Sequence, residues 1–554
     1  MNFKHQKALL WTLFLIVFPG ILNAQYIPKH ISHEGIYEFL DEIATQGFIE
    51  LNSTVKPYSR KYIAEKLIKA DESDGLSDRQ KMEVAFYLKE YGKALHSKDG
   101  DSLIKPRTSL LRLNKKPANR LDFFYYRDSV FQLTANPILG GNLWSNENGV
   151  FHHWWNGVEA HGNYKNIGLF ASLRDNHEST PLTNRDYMNQ RIGASNIKNM
   201  GDGKRDYWEV RAGMTYAWKW GHVGLMIDQF SWGEANYGSN IFSGRTPAFA
   251  GLDLQMNPVD WFQFNYVHGW LVSEVVDSSL SFWVNNSYGS EYREVYHPKY
   301  LAANLFSFTP VKGLQLGVGN SVIYDYRSPH AAFFIPVMFW KALDHTLNAR
   351  IDNMNSQLFF TVSSRNIPNI HLYASAFIDE VQVARITKPD EHNFVSYKIG
   401  STLYPFSFIR IEAEYTWTNA LAFRHYVITT TFESNRYNLG HYLEDNASEL
   451  YTAIQFKPWR ALRIKGYYVY SRKGPDHTAQ GTLPRTTIAP LEPVVWESKR
   501  LGIKADLEVL NDVYFRLGYE WRNVTGDQSY VENWTPKVYR GKTNTVSLRM
   551  NIGF

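Results

Sequence analysis

Trp232, Tyr237, Asn240 and Arg245 stand within 14 residues of one another in the stretch DQFSWGEANYGSNIFSGRTPAFAGLDLQ (228–255). Flat aromatic faces beside an amide and a guanidinium can stack on a sugar ring and hydrogen-bond its hydroxyls or carboxylates. The same aromatics also suit a girdle at a membrane interface, and the loop can point either outward or into an interior. A second group, Arg410, Glu412, Glu414, Arg516, Glu520 and Arg549, alternates with apolar residues and therefore shares one face of its strands. Opposite charges on that face can satisfy one another across neighbouring strands, while a surplus arginine offers a bidentate fork to an acidic ligand. Catalytic readings fare worse. Asp379 and Glu380 are adjacent, so a strand sends them to opposite faces and they cannot flank one glycosidic bond. His152 and His153 are separated in the same way. With no cysteine, no phosphate loop and no spaced metal ligands, neither catalytic residue, metal nor cofactor is expected.

The elements that carry these residues show two periods. Over 35–95 the pattern is helical: Ile36, Phe39, Leu40 and Ile43 recur at helical spacing before Gly47, Ser59 caps a second helix, and Ser77 caps a third that carries Met82, Phe86 and Leu88. From about Asp122 onward the period is two. Ile409, Ile411, Ala413, Tyr415 and Trp417 alternate with charges, as do Leu501 to Leu507 and Val513 to Trp521. The final stretch NTVSLRMNIGF (544–554) sends Val546, Leu548, Met550, Ile552 and Phe554 one way and Thr545, Ser547, Arg549, Asn551 and Gly553 the other.

A secreted sandwich also alternates. The number of strands, their aromatic ends and an aromatic content of 15% favour an antiparallel outer-membrane barrel, apolar toward lipid and polar toward a lumen. The roughly 430 residues from Asp122, at ~22 to 26 per strand and connection, give about 16 to 20 strands. No later segment reaches the roughly 18 apolar residues of a spanning helix; the longest run, Ala331 to Trp340, is strand-sized and broken by Pro336. Residues 1–24 read as an export leader with Lys4 and Lys7 before an apolar core. Its loss lowers the formal charge from +5 to +3, too little to suggest nucleic acid. The expected division is a leader (1–24), a helical periplasmic or plug domain with its linker (25–121) and the barrel (122–554).

Four stretches, in order, carry a family resemblance. GIYEFLDEIATQGFIELNSTVKPYSRKYIAEKL (35–67), marked by Gly47, Ile49, Leu51, Pro57 and Ser59, resembles the helical opening of the Wzi-type capsule assembly proteins. WWNGVEAHGNYKNIGLFASLRDN (154–176) is similar to an early hairpin of that family. The 228–255 stretch, through Asp228, Trp232, Gly233, Gly238 and Pro247, is similar to its strand-loop-strand motif, departing at Ser231 where the family has a second tryptophan. NMNSQLFFTVSSRNIPNIHLYASAFIDE (353–380) is similar to a later hairpin. The resemblance implies a barrel of about eighteen strands with a periplasmic-side helical bundle. It implies a non-enzymatic lectin that anchors capsular or related surface polysaccharide, in contact with outer-membrane lipid, with a terminal Phe554 like the signal for the outer-membrane assembly machinery. A monomer is expected. The alternatives are a porin-like channel or an accessory of an export or secretion apparatus.

Overall fold

The computed structural model describes residues 25–95, 109–110, 122–287, 289–347, 353–388, 391–478 and 487–553. The leader, most of the linker and Phe554 lie outside the described residues.

Eighteen antiparallel strands close into a barrel. In chain order they are β1 (Phe131–Asn146), β2 (Gly149–Tyr164), β3 (Ile167–Glu178), β4 (Arg205–Trp218), β5 (Gly221–Asp228), β6 (Phe249–Val259), β7 (Phe262–Val276), β8 (Tyr296–Val311) and β9 (Leu314–Tyr324). There follow β10 (Met354–Ile367), β11 (Ile370–Glu380), β12 (Phe394–Phe406), β13 (Ile409–Thr418), β14 (Ala447–Trp459), β15 (Leu462–Lys473), β16 (Trp496–Leu510), β17 (Val513–Gly526) and β18 (Gly541–Ile552). β18 pairs with β17 on one side and with β1 on the other, Leu548 facing Leu143 and Arg549 facing Asn142. The apolar last strand is therefore no edge; it closes the barrel. Its parity follows the sequence: Val546, Leu548 and Met550 are exposed on the outside, while Thr545 and Asn551 are buried within.

One rim carries two-residue turns, among them 165–166, 368–369 and 511–512, where Asn369 and Asp512 adopt the positive φ that short polar side chains tolerate. Long loops, including 179–204, 229–248 and 419–446, leave the other rim.

Three helices, α1 (Glu34–Thr45), α2 (Arg60–Asp71) and α3 (Asp78–Tyr91), form around their own core of Phe39, Leu40, Ile43, Ile63, Leu67 and Val84. Ser59 accepts from the Tyr62 amide, and Ser77 forms a reciprocal capping box with Gln80, so both starts fall where the sequence puts them. Met82 corrects the sequence reading: it lies on the exposed side of α3. The helices seal the two-residue-turn mouth. Lys29 Nζ meets Asp512 at 2.8 Å, the Asn511 amide donates to the Phe86 carbonyl at 3.2 Å, and the Asn369 N–H donates to the Thr45 carbonyl at 3.2 Å.

Loop 229–248 folds into the barrel rather than outward. Ser231–Trp232 pairs with Val55–Lys56 of the helical domain and with Phe242–Ser243 of the same loop, a small three-stranded sheet inside the lumen. The plug and the loop are thus one hydrogen-bonded unit held against the wall.

Candidate functional site

α1 presents two faces. Its apolar stripe packs on α2 and α3, which leaves Glu34, Glu38 and Asp41, at spacings of four and three, on one face turned to the lumen. Opposite them stand the wall cations. Glu38 lies 2.8 Å from Arg463, 3.1 Å from Lys465 and 3.4 Å from Arg410; Asp41 lies against Arg365, and Glu34 is 3.3 Å from Arg516. Lys504 and Arg516 hold the half-exposed Glu34 carboxyl down to about 2. Burial pushes the Glu38 carboxyl up, but the field of Lys465, Arg463 and Arg410 outweighs it and holds it well below the usual range. Neutralisation across neighbouring strands, expected from sequence, therefore accounts for part of the wall only: Arg516 pairs with Asp506 directly across from it, whereas Arg463 is neutralised by the plug.

Between plug, inward loop and wall lies a cavity of about 550 Å³. Its roof is the tip of the inward loop. Glu414 fixes that tip, accepting from the Asn236 and Tyr237 amides and from Lys398 Nζ at 2.8 Å, while Arg410 Nη2 donates to the Asn236 side chain at 2.8 Å. Tyr237 stacks on Tyr451 with ring centres 4.5 Å apart and planes 8° from parallel. Arg500 donates to the Tyr237 hydroxyl.

The wall of β16 to β18 is basic in an uncommon way. Arg500 directly faces Arg522, and Arg516 directly faces Arg549. Like charges opposed across a strand pair repel. Arg516 and Arg522 have carboxylate partners, Asp506 and Glu520. Arg500 and Arg549 have none within 4 Å among the described residues; Arg549 rests on the Trp155 ring at 5.3 Å and its Nε lacks a hydrogen-bond partner. Between the arginine pairs the wall is kept low. A Cβ at Gly518 would fall 2.6 Å from the Ser547 hydroxyl, and one at Gly502 would strike the Tyr467 ring. A second cavity of about 260 Å³, bounded by Trp496, Trp534 and Tyr539, shares Gln190 and Arg500 with the first and continues the basic wall toward the long-loop rim.

The four loop residues singled out from sequence do not come together. Tyr237 lines the cavity. Trp232 is 1% exposed and packs on Phe242 and Phe359, with no free face. Asn240 is spent: its amide donates to the Ser396 carbonyl at 3.0 Å and its oxygen accepts from Ser375 at 2.6 Å. Arg245, buried over the Tyr437 ring, donates to the Tyr187 carbonyl at 2.7 Å and ties loop 179–204 to loop 419–446. Trp232→Ala is accordingly expected to cost about 3 to 5 kcal/mol of stability as a large core truncation. Urea unfolding of the purified barrel checks this, and a loss under about 1 kcal/mol would remove the tryptophan from the core.

Of the wall group, Arg410, Glu412, Arg516, Glu520 and Arg549 line the cavity, and Glu414 holds its roof. Sequence reasoning missed Arg500, Tyr451 and the α1 acids. The acidic stripe 34, 38, 41 was visible beside the apolar stripe 36, 39, 40, 43; Arg500 and Tyr451 lie at strand positions that alternation alone does not single out.

No protein-family model matches the chain, and none of the curated proteins compared with it matches. Among solved structures it is similar to Wzi, an outer-membrane protein involved in group 1 capsule assembly in Escherichia coli and a carbohydrate-binding β-barrel. That match has 12% identity and a TM-score of 0.58, and covers 96% of this chain and 100% of that one. OccD3 (OpdP) of Pseudomonas aeruginosa gives 11% identity, a TM-score of 0.40 and coverage of 76% and 90%. OpdK of the same organism, solved with vanillate, gives 8%, 0.41, 76% and 98%. At such identities the likeness to Wzi is one of fold.

Proposed function

We propose that this chain is a non-enzymatic outer-membrane barrel that binds and holds capsular or related surface polysaccharide, with acidic sugar residues seated against the basic wall of β16 to β18. The observation that carries the reading is Arg500 and Arg549, two inward guanidiniums without carboxylate partners among the described residues, in a polar cavity roofed by the Tyr237 and Tyr451 stack. Guanidinium forks suit uronic or pyruvate carboxylates, and tyrosine faces and hydroxyls suit the ring. The likeness of the whole chain to the fold of a carbohydrate-binding barrel agrees with this.

Outer-membrane barrels turn briefly in the periplasm and at length outside the cell, so the plugged rim is assigned to the periplasm and the second cavity to the side where polymer arrives. The chain is taken to act as a monomer in outer-membrane lipid after insertion by the barrel assembly machinery. A channel, or an accessory of an export or secretion apparatus, fits less well because plug and inward loop occupy the lumen. Deleting the protein is expected to release surface polysaccharide into the medium, measured as the cell-bound to shed ratio. Unchanged retention, with open conductance by the purified barrel in planar bilayers, would favour the channel instead.

A further inference from the structure

The longest apolar run, Ala331 to Trp340, belongs neither to the barrel wall nor to its lumen. Val267, Leu301, Leu305, Ile323 and Phe359 pack with Trp232 and Phe242 of the inward loop, which fixes their parity as inside. Tyr266, Asn304 and Asn320 have the opposite parity and stand side by side in one register row on the outside of β7, β8 and β9, with the Asn320 amide donating to the Asn304 side chain at 2.7 Å. Three polar side chains in a row on a lipid-facing wall are costly unless covered.

They are covered, by the segment after β9. A 3-10 turn (Ala331–Phe334) and a short helix (Trp340–Leu347) lie across this outer face, with Phe333 and Trp340 fully buried against it. Tyr266 donates to the Phe333 carbonyl at 2.6 Å. Asn304 donates to the Pro336 and Met338 carbonyls at 2.9 and 3.0 Å, and the Trp340 N–H donates to the Asn320 side chain at 3.0 Å. The amides of Phe333, Ile335, Met338 and Ala342 are satisfied by the segment's own turns, and Pro336 has none to satisfy.

We propose that residues 331–342 form a strap embedded in the bilayer, whose outward side chains contact lipid acyl chains. That outward side consists of Phe334, Ile335, Val337 and Phe339, between 39% and 61% exposed, with no charge from 331 to 340. The strap is continuous with the lipid-facing band: one row nearer the two-residue turns, Val318 and Phe360 are 44% and 42% exposed on the same wall. The covered polar row is the second argument. Water would solvate Tyr266, Asn304 and Asn320 directly, whereas hydrocarbon demands a partner for each, and the strap supplies one. Acyl chains are therefore the occupant that both the outward side chains of the strap and the polar row beneath it fit.

The chain has no cysteine, so single spin labels can be placed directly. Val337→Cys and Ile335→Cys report on the strap, Val318→Cys on the lipid-facing wall and Trp283→Cys on an exposed loop hairpin. In phosphatidylcholine vesicles the strap labels are expected to match Val318→Cys, with high collision rates with oxygen and loss of the nickel-chelate collisions seen at Trp283→Cys. Nickel access equal to that at Trp283→Cys would make the segment an aqueous loop, and low access to both reagents would mean that protein covers it. Either result overturns the proposal. Using two strap positions keeps the test valid should one label disturb packing.

Discussion

Glu38→Ala is expected to loosen the helical plug while leaving the barrel wall closed. The carboxylate is the shared partner of Arg463, Lys465 and Arg410, three cations with side chains no more than 10% exposed. Its removal strands Arg463, while Arg410 and Lys465 keep Glu412 at 2.7 and 3.4 Å; one buried cation left without its carboxylate costs about 3 to 5 kcal/mol. The wall has its own ladder of hydrogen bonds around the full circle, so the loss falls on docking. Protease access to α2 and α3, together with ion conductance in planar bilayers, reads it out. A variant as protected and as non-conducting as the parent would show that the apolar contacts alone hold the plug.

The same network sets a pH dependence. Glu34 and Glu38 titrate lower in the docked state than the ordinary glutamate value of about 4.3. Their contribution is present above that value and is lost as the pH falls toward about 2, the value for Glu34. His33 weakens docking earlier. Burial lowers its imidazole from 6.5 to about 4 despite Asp512 at 2.6 Å, so the docked state resists a proton that the undocked chain accepts. Plug stability is expected to be flat above about pH 6.5, to fall mildly toward pH 4 and steeply below it. Melting of the helical signal across this range checks the order of the two steps. A plug that strengthens on acidification would reverse the sign and exclude both groups as determinants.

How far the sequence reaches depends on whether an interaction is local. The alternation of Val546, Leu548 and Met550 with Thr545 and Arg549 needs only the period of a strand, and the faces fall as that period dictates. Ser59 and Ser77 act on amides three residues away, so their helices start where expected. The destination of loop 229–248 is a different matter. Trp232 is buried by Phe359, more than a hundred residues distant, and an aromatic-rich loop has the same composition whether it forms a girdle, a ligand surface or a lumenal core. The partners of Arg463 and Lys465 lie more than four hundred residues away on α1, and strand alternation contains no information about a plug. Asn304 and Asn320 did leave a trace. Each interrupts an outward apolar parity, and such a break in a lipid-facing strand points to something covering it.

Arg549→Gln separates a wall residue from a ligand residue. A structural arginine loses stability when neutralised, because its carboxylate is left behind; Arg516→Gln is expected to do so, stranding Asp506. Arg549 strands nothing among the described residues, and its neutralisation removes a like charge directly opposite Arg516. The melting temperature of Arg549→Gln is therefore expected to stay level or rise slightly, by the equivalent of about 0.2 to 1 kcal/mol. If acidic sugar is held there, affinity for a uronate-containing polysaccharide falls by about 1.5 to 3 kcal/mol, the worth of a hydrogen bond to a charged group. That is roughly ten- to hundredfold in the dissociation constant, measured by calorimetry on the purified barrel. A neutral polysaccharide of similar length is expected to bind both forms alike. Unchanged affinity for the acidic polymer, with a lower melting temperature, would make Arg549 part of the wall and would move the search for the ligand outward, past Arg500, to the cavity at the long-loop rim.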